Sequence, residues 1–522
     1  MTRTTVLASL LAIATVLGAL AWWQYGEPQP WLLMRNTLLL SLGSCAISLP
    51  LGTLAAILLT RSDLPGRRVF ASLMLTLLFV PLYLVAAAWD AGFGQLGWYT
   101  LAHSNPAQPW LSGWRAAIWV HGMAATPWVM LLVAAGARHV QASLEEEALL
   151  SGTNLQVLWH VTLRRLRPAL TVAALWVLLA TAAEMTVTDL YRVRTYAEVI
   201  YTGFALGDQL SDSATRVLPG MVIVALLVTV GYLVADGLVP SFRTSTRPPW
   251  IFRLGFARWP MFAVQLAVVL LLVAVPLGNL LYKAGLTVRQ VGADRQRVWS
   301  VGAFVNTVSA VPGKYGEEFA WTGLLAAATA TAAVAAALPL AWWARRGGWR
   351  SAPAVALAAI GLAIPGPLVG LIIIWILDRP FPPGLIWLYD QTIAAPLLAL
   401  LIRTLPFAIL LTWYVLRTIA DDVLDAAACD GAGSWRQLGW IGLPSRLASL
   451  GAVWLALFSL AAGDLACTIL VVPPRVTTIP IRVFGLLHAG VDDQAAGICL
   501  VMLGPFILLS ALVMRLLHRP PA

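Results

Sequence analysis

Charged residues are scarce in this chain. Of its 522 residues only 11% are Asp, Glu, Lys or Arg, and 60% are hydrophobic, with a mean hydropathy of +0.81. Soluble domains average roughly 25% charged residues, so the composition excludes an ordinary soluble enzyme, a secreted disulfide scaffold and a disordered nucleic-acid-binding tail. A polytopic membrane protein remains. Because the apolar runs are continuous rather than alternating, we expect an all-α fold.

Clustered cysteines and an ATP-binding motif are also absent from the sequence. The four cysteines are Cys45, Cys429, Cys467 and Cys499. Their wide spacing indicates structural thiols rather than a metal or redox site. No Gly-x-x-x-x-Gly-Lys-Ser/Thr segment occurs, so we do not expect the chain to bind ATP itself. The six histidines, His121 and His160 among them, are isolated in sequence. We therefore predict no catalytic residue, no metal site and no cofactor, and a protein that is not itself an enzyme.

Twelve apolar segments are long enough to be membrane spans. They lie near 5–23, 36–60, 69–90, 114–137, 168–188, 217–239, 259–282, 320–343, 354–377, 393–416, 447–470 and 496–516. The first segment follows Arg3 and ends in small residues, so a signal peptide is an alternative reading of it. Its length, and an apparent counterpart at 259–282, favour a span.

The arginines sort to one side of the predicted membrane. With the N-terminus inside, every inner loop contains at least two of them, as at Arg67 and Arg68 or at Arg345 and Arg346. Short loops rich in arginine face the cytoplasm, so we expect both termini to be cytoplasmic. The net charge of +10 then reflects membrane orientation and does not indicate a nucleic-acid partner.

An internal repeat divides the chain. Residues 279 positions apart match in the pairs Pro127 and Pro406, Arg138 and Arg417, Glu146 and Asp425, Ala148 and Ala427, and Gly152 and Gly431. Both copies follow the fourth span of their half, so the halves share one orientation. We predict two parallel six-helix domains, at 1–239 and 259–522, joined by a cytoplasmic linker at 240–258. Such a duplication places a solute path between the halves.

The repeated loop has the pattern of a helix–glycine–helix elbow. In the first copy, Ser143 and Glu146 form a capping-box pattern, Gly152 is suited to a left-handed turn, and Thr153 or Asn154 can start the next helix. The second copy repeats this plan with Asp421 and Asp422 at the start, Gly431 at the break, Ser434 as the next cap and Pro444 before the following span.

These elbows resemble the cytoplasmic EAA motif of permease subunits in bacterial ABC importers. The motif reads Glu-Ala-Ala, three residues, Gly, nine residues, then Ile-x-Leu-Pro. The second copy has Asp425-Ala426-Ala427, Gly431 and Leu443-Pro444 at these spacings. The first copy has Glu146-Glu147-Ala148 and Gly152, is one residue shorter after the glycine, and carries Arg164 where the motif has proline.

Two further stretches extend the resemblance. Segments 184–188 and 464–468 begin with Glu184 and Asp464 and are similar to an acidic, small-residue stretch of the ferric-iron, thiamine and sulfate permeases. Segments 471–474 and 479–483 look most like the fused subgroup of ferric-iron permeases, which carries two permeases in one chain.

The resemblance implies an importer in the bacterial inner membrane that is driven by other subunits. Two separate ABC ATPase subunits would dock on the elbows, and a periplasmic or lipoprotein solute-binding protein would deliver the solute to the outer loops. The longest predicted outer loop is 283–319. Ferric iron is the best candidate solute, with thiamine, phosphonates and other small solutes as alternatives. The implied coupling residues are Glu146, Glu147, Ala148, Gly152, Asp425, Ala426, Ala427, Gly431, Leu443 and Pro444.

An ion-coupled secondary transporter is the alternative function. It would use ionisable groups within the membrane, and the candidates are Glu184, Asp464 and Arg403, the last inside the tenth predicted span. We interpret the two acids as structural or gating groups, and Arg403 as pairing within the bundle or snorkelling to its edge, rather than as solute ligands. A membrane-embedded enzyme has no supporting motif.

Overall fold

The structure is a computed structural model that describes residues 29–103, 108–138, 140–207, 250–291 and 294–517, together with positions 222 and 226. The predicted spans at 5–23 and 217–239 lie outside these described residues, apart from those two positions. So does the linker segment 240–249.

Helices dominate the described chain. Those of the first half are α1 (Gln29–Thr60), α2 (Arg67–Leu77), α3 (Leu82–Phe93), α4 (Trp98–His103), α5 (Gly113–Ala137), α6 (Ala142–Leu149), α7 (Asn154–Val157), α8 (Leu163–Ala182), α9 (Thr186–Leu190) and α10 (Tyr196–Ala205). Those of the second half are α11 (Arg258–Val269), α12 (Val275–Ala284), α13 (Val301–Ala344), α14 (Ala352–Ala363), α15 (Gly366–Leu377), α16 (Leu385–Gln391), α17 (Ala394–Arg417), α18 (Asp421–Cys429), α19 (Ser434–Gln437), α20 (Leu443–Gly463), α21 (Ile479–His488) and α22 (Asp492–Leu517). Short 3₁₀ turns cover Gly255–Ala257 and Gly348–Ser351.

The predicted all-α polytopic fold is confirmed. Among the described residues, eight helical segments are long and apolar enough to cross a membrane, or ten if each of two bent helix pairs counts as one span. Five predicted spans, at 36–60, 114–137, 259–282, 393–416 and 496–516, coincide with such segments to within a few residues. The total of twelve stays a prediction.

Four predicted spans are not continuous helices: those near 168–188 and 447–470 extend past the ends of α8 and α20, at Ala182 and Gly463, and two others are bent helix pairs. The segment near 69–90 is α2 followed by α3, bent by 102°, and the segment near 354–377 is α14 followed by α15, bent by 98°. A proline in extended conformation precedes the second helix of each pair, Pro81 before α3 and Pro365 before α15. Proline lacks an N–H donor and disfavours the helical conformation of the residue before it, so each proline ends the preceding helix.

The predicted long outer loop at 283–319 is also wrong. Strands β1 (Leu286–Val291) and β2 (Asp294–Trp299) pair antiparallel, with Leu286 opposite Trp299. Helix α13 then begins at Val301, where the Ser300 side chain accepts a hydrogen bond from the Ala303 N–H, and it continues for 44 residues with a kink at Tyr315. Much of the predicted loop is therefore the first part of a helix.

The two halves interlock. Val268, Val269 and Leu272, at the start of the second half, are buried in a cluster formed mainly by first-half helices α1, α5 and α8. In return, Tyr83 and Leu84 of α3 are buried among second-half residues. Each half thus contributes a helix to the other half's core.

The same order of elements occurs twice. Each half contains a bent helix pair, a long helix (α5 or α17), an elbow, and a π-helical turn at Leu158–Thr162 or Leu438–Gly442 that leads into α8 or α20. Each half then has a short helix whose first N–H donates to a threonine side chain: Tyr196 to Thr37, and Ile479 to Thr322. The domain boundaries themselves stay a prediction.

Candidate functional site

The two elbows, at 142–162 and 421–442, lie on one face of the bundle, which we call the elbow face. The first elbow follows α5 and contacts Arg61, the residue after α1. The second follows α17 and contacts Arg345, the residue after α13. The segment before α11 binds next to the first elbow, and α11–α12 leads away to the far face before α13 returns. The chain thus crosses the bundle once in each direction between the two elbows, so the second elbow lies on the same face as the first.

A buried ion pair anchors the first elbow. Glu145 of α6 has no exposed surface and pairs with Arg61, which is also buried. The Thr162 hydroxyl donates to the other carboxylate oxygen of Glu145 at 2.6 Å, and an Arg61 N–H donates to the Ala137 carbonyl at 3.1 Å. These contacts join the ends of α1 and α5 to the elbow and to the turn that starts α8.

A buried leucine and a glutamine anchor the second elbow. Leu424 is 3% exposed, and the Gln437 amide donates to its carbonyl at 3.2 Å and to that of Ala432 at 2.9 Å. The one ion pair described for this elbow joins Arg345 to Asp421 at 3.0 Å, and the Asp421 side chain is 84% exposed.

The elbows differ from the sequence prediction in detail. No side-chain hydrogen bond caps α6, so the predicted Ser143–Glu146 capping box is wrong; a capping box joins Thr153 and Gln156 instead, at the start of α7. Gly431 has the predicted left-handed conformation, with φ of 82°. Gly152 does not, since its φ is not positive.

The cap of the second short helix is also one residue from its predicted place. Gly433, not Ser434, occupies the N-cap position of α19. The Ser434 side chain instead accepts a hydrogen bond from the indole N–H of Trp342 at 3.0 Å. Pro444 lies in the first turn of α20, where its missing N–H leaves no helical hydrogen bond unmade.

Most predicted coupling residues are accessible from outside the chain. The exposed members are Glu146, Glu147, Asp425, Ala426, Gly431 and Pro444, and the half-buried ones are Ala148, Gly152, Ala427 and Leu443. Large apolar side chains are exposed beside them. Trp159 and Trp440 lie in the two π-helical turns and are 63% and 83% exposed. Each elbow therefore presents acids and an exposed tryptophan together.

The end of the linker is fastened to the first elbow. The Phe252 N–H donates to the Arg61 carbonyl at 2.8 Å, and the Leu254 N–H donates to the Asp63 carboxylate at 3.0 Å. The side-chain amide of Asn154, the first residue of α7, donates to the Arg253 carbonyl at 3.3 Å. Nothing in the sequence predicted this attachment.

Glu184 and Asp464 cap short helical turns at the far ends of α8 and α20. Glu184 accepts hydrogen bonds from the Thr186 and Val187 N–H groups, and Asp464 accepts one from the Cys467 N–H at 3.0 Å. Each acid also faces a basic side chain of the neighbouring long helix.

The basic partners differ between the halves. His121 of α5 lies with Nε2 3.2 Å from Glu184 Oε2, so this histidine, isolated in sequence, is paired in the fold. Arg403 of α17 lies with Nε 3.8 Å from Asp464 Oδ2. Arg403 thus faces Asp464 within the bundle, and a gating or translocation role for these residues stays a prediction.

A cavity of about 260 Å³ lies between the halves. The break between α2 and α3 forms one wall, and the far ends of α8 and α20 form another. Polar lining side chains are His121, Thr181, Arg403, Thr404, Ser459 and Asp464, and the aromatic ones are Phe79, Trp128, Trp176 and Phe407. Within the described residues, no group of three His, Cys, Asp or Glu side chains could hold a metal ion.

Glu145 is the functional residue whose role sequence reasoning missed. In the sequence it is the first of three consecutive glutamates with Glu146 and Glu147, yet in the fold it alone is buried. A signal was available, since the repeat aligns Glu145 with Leu424. A position that is leucine in one copy and acidic in the other indicates a buried acid that needs a partner.

Known proteins resemble part of this chain. Two proteins named "Putative 2-aminoethylphosphonate transport system permease protein PhnV", from Salmonella paratyphi A and Salmonella typhi, are each 28% identical to it over 104 residues. The match covers 20% of this chain and 39% or 40% of the relatives' length. No family model matches the chain. The similarity supports a transport permease and does not single out the ferric-iron, thiamine or sulfate group. The chain is thus a multi-pass, all-α membrane protein with distant and partial similarity to transport-system permeases.

Proposed function

We propose that this protein is a fused permease of an ATP-driven importer in the bacterial inner membrane, with both elbows and both termini cytoplasmic. The observation that carries the proposal is the pair of elbows on one face, each presenting acids at the EAA positions beside an exposed tryptophan. Exposed aromatic side chains in a polar surrounding are typical of protein interfaces. Two ABC ATPase subunits are the proposed partners, one on each elbow.

The helices after the elbows give a route for force to reach the cavity. Asn154–Ala182 and Ser434–Gly463 are continuous apolar segments of 29 and 30 residues. At 1.5 Å per residue each is about 45 Å long, and the ends remote from the elbows line the cavity. A sideways displacement of an elbow would therefore tilt the helix that follows it, and the far end of that helix forms part of the cavity wall. Closure of the ATPase subunits would in this way change access to the cavity.

Two solute classes are proposed. Ferric iron follows from the motif resemblance and requires that the metal ligands lie on the solute-binding protein. A phosphonate is the second candidate, favoured by the names of the two relatives, which describe 2-aminoethylphosphonate transport. The lining of the cavity, with Arg403 and an aromatic wall, supports an organic solute.

Recruitment of ATPase subunits tests the proposal. The full chain would be tagged, expressed in its native bacterium and purified in mild detergent, and the ATP hydrolysis that co-purifies would be measured. The double variant Trp159→Ser/Trp440→Ser should lose most of it, because interface aromatics commonly contribute about 2 kcal/mol or more. Gly431→Val should also abolish docking at the second elbow.

A matched control is Trp349→Ser, since Trp349 is 72% exposed and lies outside both elbows. It should leave co-purified ATP hydrolysis unchanged. If the double variant and Gly431→Val both retain the ATPase, the coupling assignment is wrong.

The ion-coupled alternative is separated by uptake into vesicles that contain the chain without ATPase subunits. Uptake driven by a proton gradient alone would overturn the importer and favour a secondary transporter that uses Glu184 and Asp464.

A further inference from the structure

Arg403 has unused hydrogen-bonding capacity in the cavity. Its Nε lies 3.8 Å from Asp464 Oδ2, which is too long for a hydrogen bond, and its Nη1 donates one long hydrogen bond, of 3.4 Å, to the Ile364 carbonyl. A guanidinium carries five N–H donors in a planar fork that matches carboxylates and phosphonates. The pairing with Asp464 therefore neutralises the charge of Arg403, and most of its N–H donors remain available to a solute.

Asp464 can leave Arg403 without losing all its partners. Its other oxygen accepts the Cys467 N–H at 3.0 Å, so the carboxylate stays bound to the backbone if another anion takes the guanidinium. In the equivalent pair of the first half, His121 and Glu184, the polar atoms already have hydrogen-bond partners. His121 Nδ1 is 2.8 Å from the Ala117 carbonyl and Nε2 is bound to Glu184, and Glu184 accepts two backbone N–H groups. Of the two pairs, only the one with Arg403 offers donors to a solute.

The wall beside Arg403 suits an organic group. The Trp176 ring centroid lies 5.1 Å from that of Trp128 and 5.6 Å from that of Phe407. The Thr404 and Ser459 hydroxyls already donate to the Leu400 and Phe79 carbonyls. This part of the wall is therefore largely apolar, and such a surface favours a carbon skeleton over a hydrated ion.

We propose that the cavity binds a small organic oxyanion, a phosphonate or carboxylate, whose charged group replaces Asp464 as the partner of Arg403 while its carbon skeleton packs on Trp128, Trp176 and Phe407. The proposal rests on the proposed function, because it names the class of solute that this permease would pass between its halves.

Methylphosphonate is the probe. The purified full chain in nanodiscs would be titrated, and binding would be followed by ³¹P line broadening, since phosphonate is resolved from lipid phosphodiesters. Arg403→Gln should weaken binding by about tenfold or more, the effect of losing a charge-assisted hydrogen bond. Asp464→Asn should strengthen it several-fold, because the competing charge is removed. Arg417→Gln, on the same helix at the elbow face, is the matched control and should bind like the parent.

Unchanged binding in Arg403→Gln, or weaker binding in Asp464→Asn, overturns the site. If Arg403→Gln fails to fold, Arg403→Lys replaces it and should bind more weakly than the parent, since it keeps the charge but loses the fork; binding equal to the parent overturns the site. Inorganic phosphate should bind at least several-fold more weakly than methylphosphonate, and equal binding overturns the role of the aromatic wall.

ATPase recruitment separates the two proposals. If the parent chain recruits ATPase but binds no methylphosphonate, only the oxyanion site is wrong. If it binds methylphosphonate without recruiting ATPase, only the coupling assignment is wrong.

Discussion

The two elbows have one backbone plan and two kinds of anchor. At the same repeat position the first elbow has Glu145, paired with Arg61, and the second has Leu424. The glycine at the break is left-handed in the second elbow only. A duplicated motif can thus keep its outline while the interactions that hold it diverge. A buried charge depends on its partner, whereas a buried leucine depends only on the shape around it, so the same kind of substitution should have unequal effects in the two copies.

The largest expected effect is at the buried ion pair. Glu145→Leu gives the first elbow the residue of the second but leaves Arg61 buried without its carboxylate, which should cost about 3–5 kcal/mol in the free energy of unfolding. Thermal or denaturant unfolding of the purified full chain measures it. The double variant Arg61→Met/Glu145→Leu should recover most of the loss.

The exposed ion pair of the second elbow is the control. Asp421→Asn should change the free energy of unfolding by less than about 1 kcal/mol. Equal losses for Glu145→Leu and Asp421→Asn would show that the two anchors are equivalent.

A medium effect is expected at the two glycines. At Gly431 a side chain would have open space but a left-handed backbone, with φ of 82°, so Gly431→Ala should cost about 1–2 kcal/mol. Gly152→Ala, with no positive φ, should cost less than half as much, although its Cβ would lie 3.3 Å from Gln156 Oε1. Protease cleavage within each elbow reports local opening, and a larger change for Gly152→Ala would contradict the assigned conformations.

The smallest effect concerns a link between the halves away from the elbows. His488 Nε2 lies 3.0 Å from Asp189 Oδ2, and α21 is too short to span the membrane. The hydrogen bond to Asp189 raises the pKa of His488, against the effect of burial, which lowers it. The stabilisation is therefore present at low pH and is lost as the pH rises through the raised pKa of the folded state.

The histidine side chain is 43% exposed, so the gain should stay below about 1 kcal/mol. His488→Gln should flatten the dependence of the unfolding temperature on pH between about pH 6 and 8, where histidine titrates. A parent chain whose stability rises across this interval would contradict the pairing.

The sequence was informative about periodic features. Apolar length identified the all-α polytopic fold, and spacing predicted the repeat, because both properties are local or repeat at a constant offset. The breaks at Pro81 and Pro365 could also be predicted, since proline ends a helix in a membrane as it does in water. Because the spans were assigned from hydropathy alone, each bent pair was predicted as one helix.

The sequence was uninformative about pairings between distant segments. Arg61 and Glu145 are 84 positions apart, and His121 and Glu184 are 63 apart. Nothing in composition or spacing selects one arginine or histidine among many as the partner of a given acid. The cavity depends on six helices meeting, so only its candidate charged residues, Arg403 and Asp464, could be named in advance.

The attachment of residues 250–254 beside Arg61 bears on stoichiometry. Because one chain carries both halves, this contact is made within one molecule. The effective concentration of the linked second half at the first half is far above the concentration of second halves from other molecules. Together with the exchange of core helices, it would commit each first half to its own second half. Two copies of the first half could then not pair with each other to give a transporter with two identical elbows. Each transporter would contain one elbow of each kind.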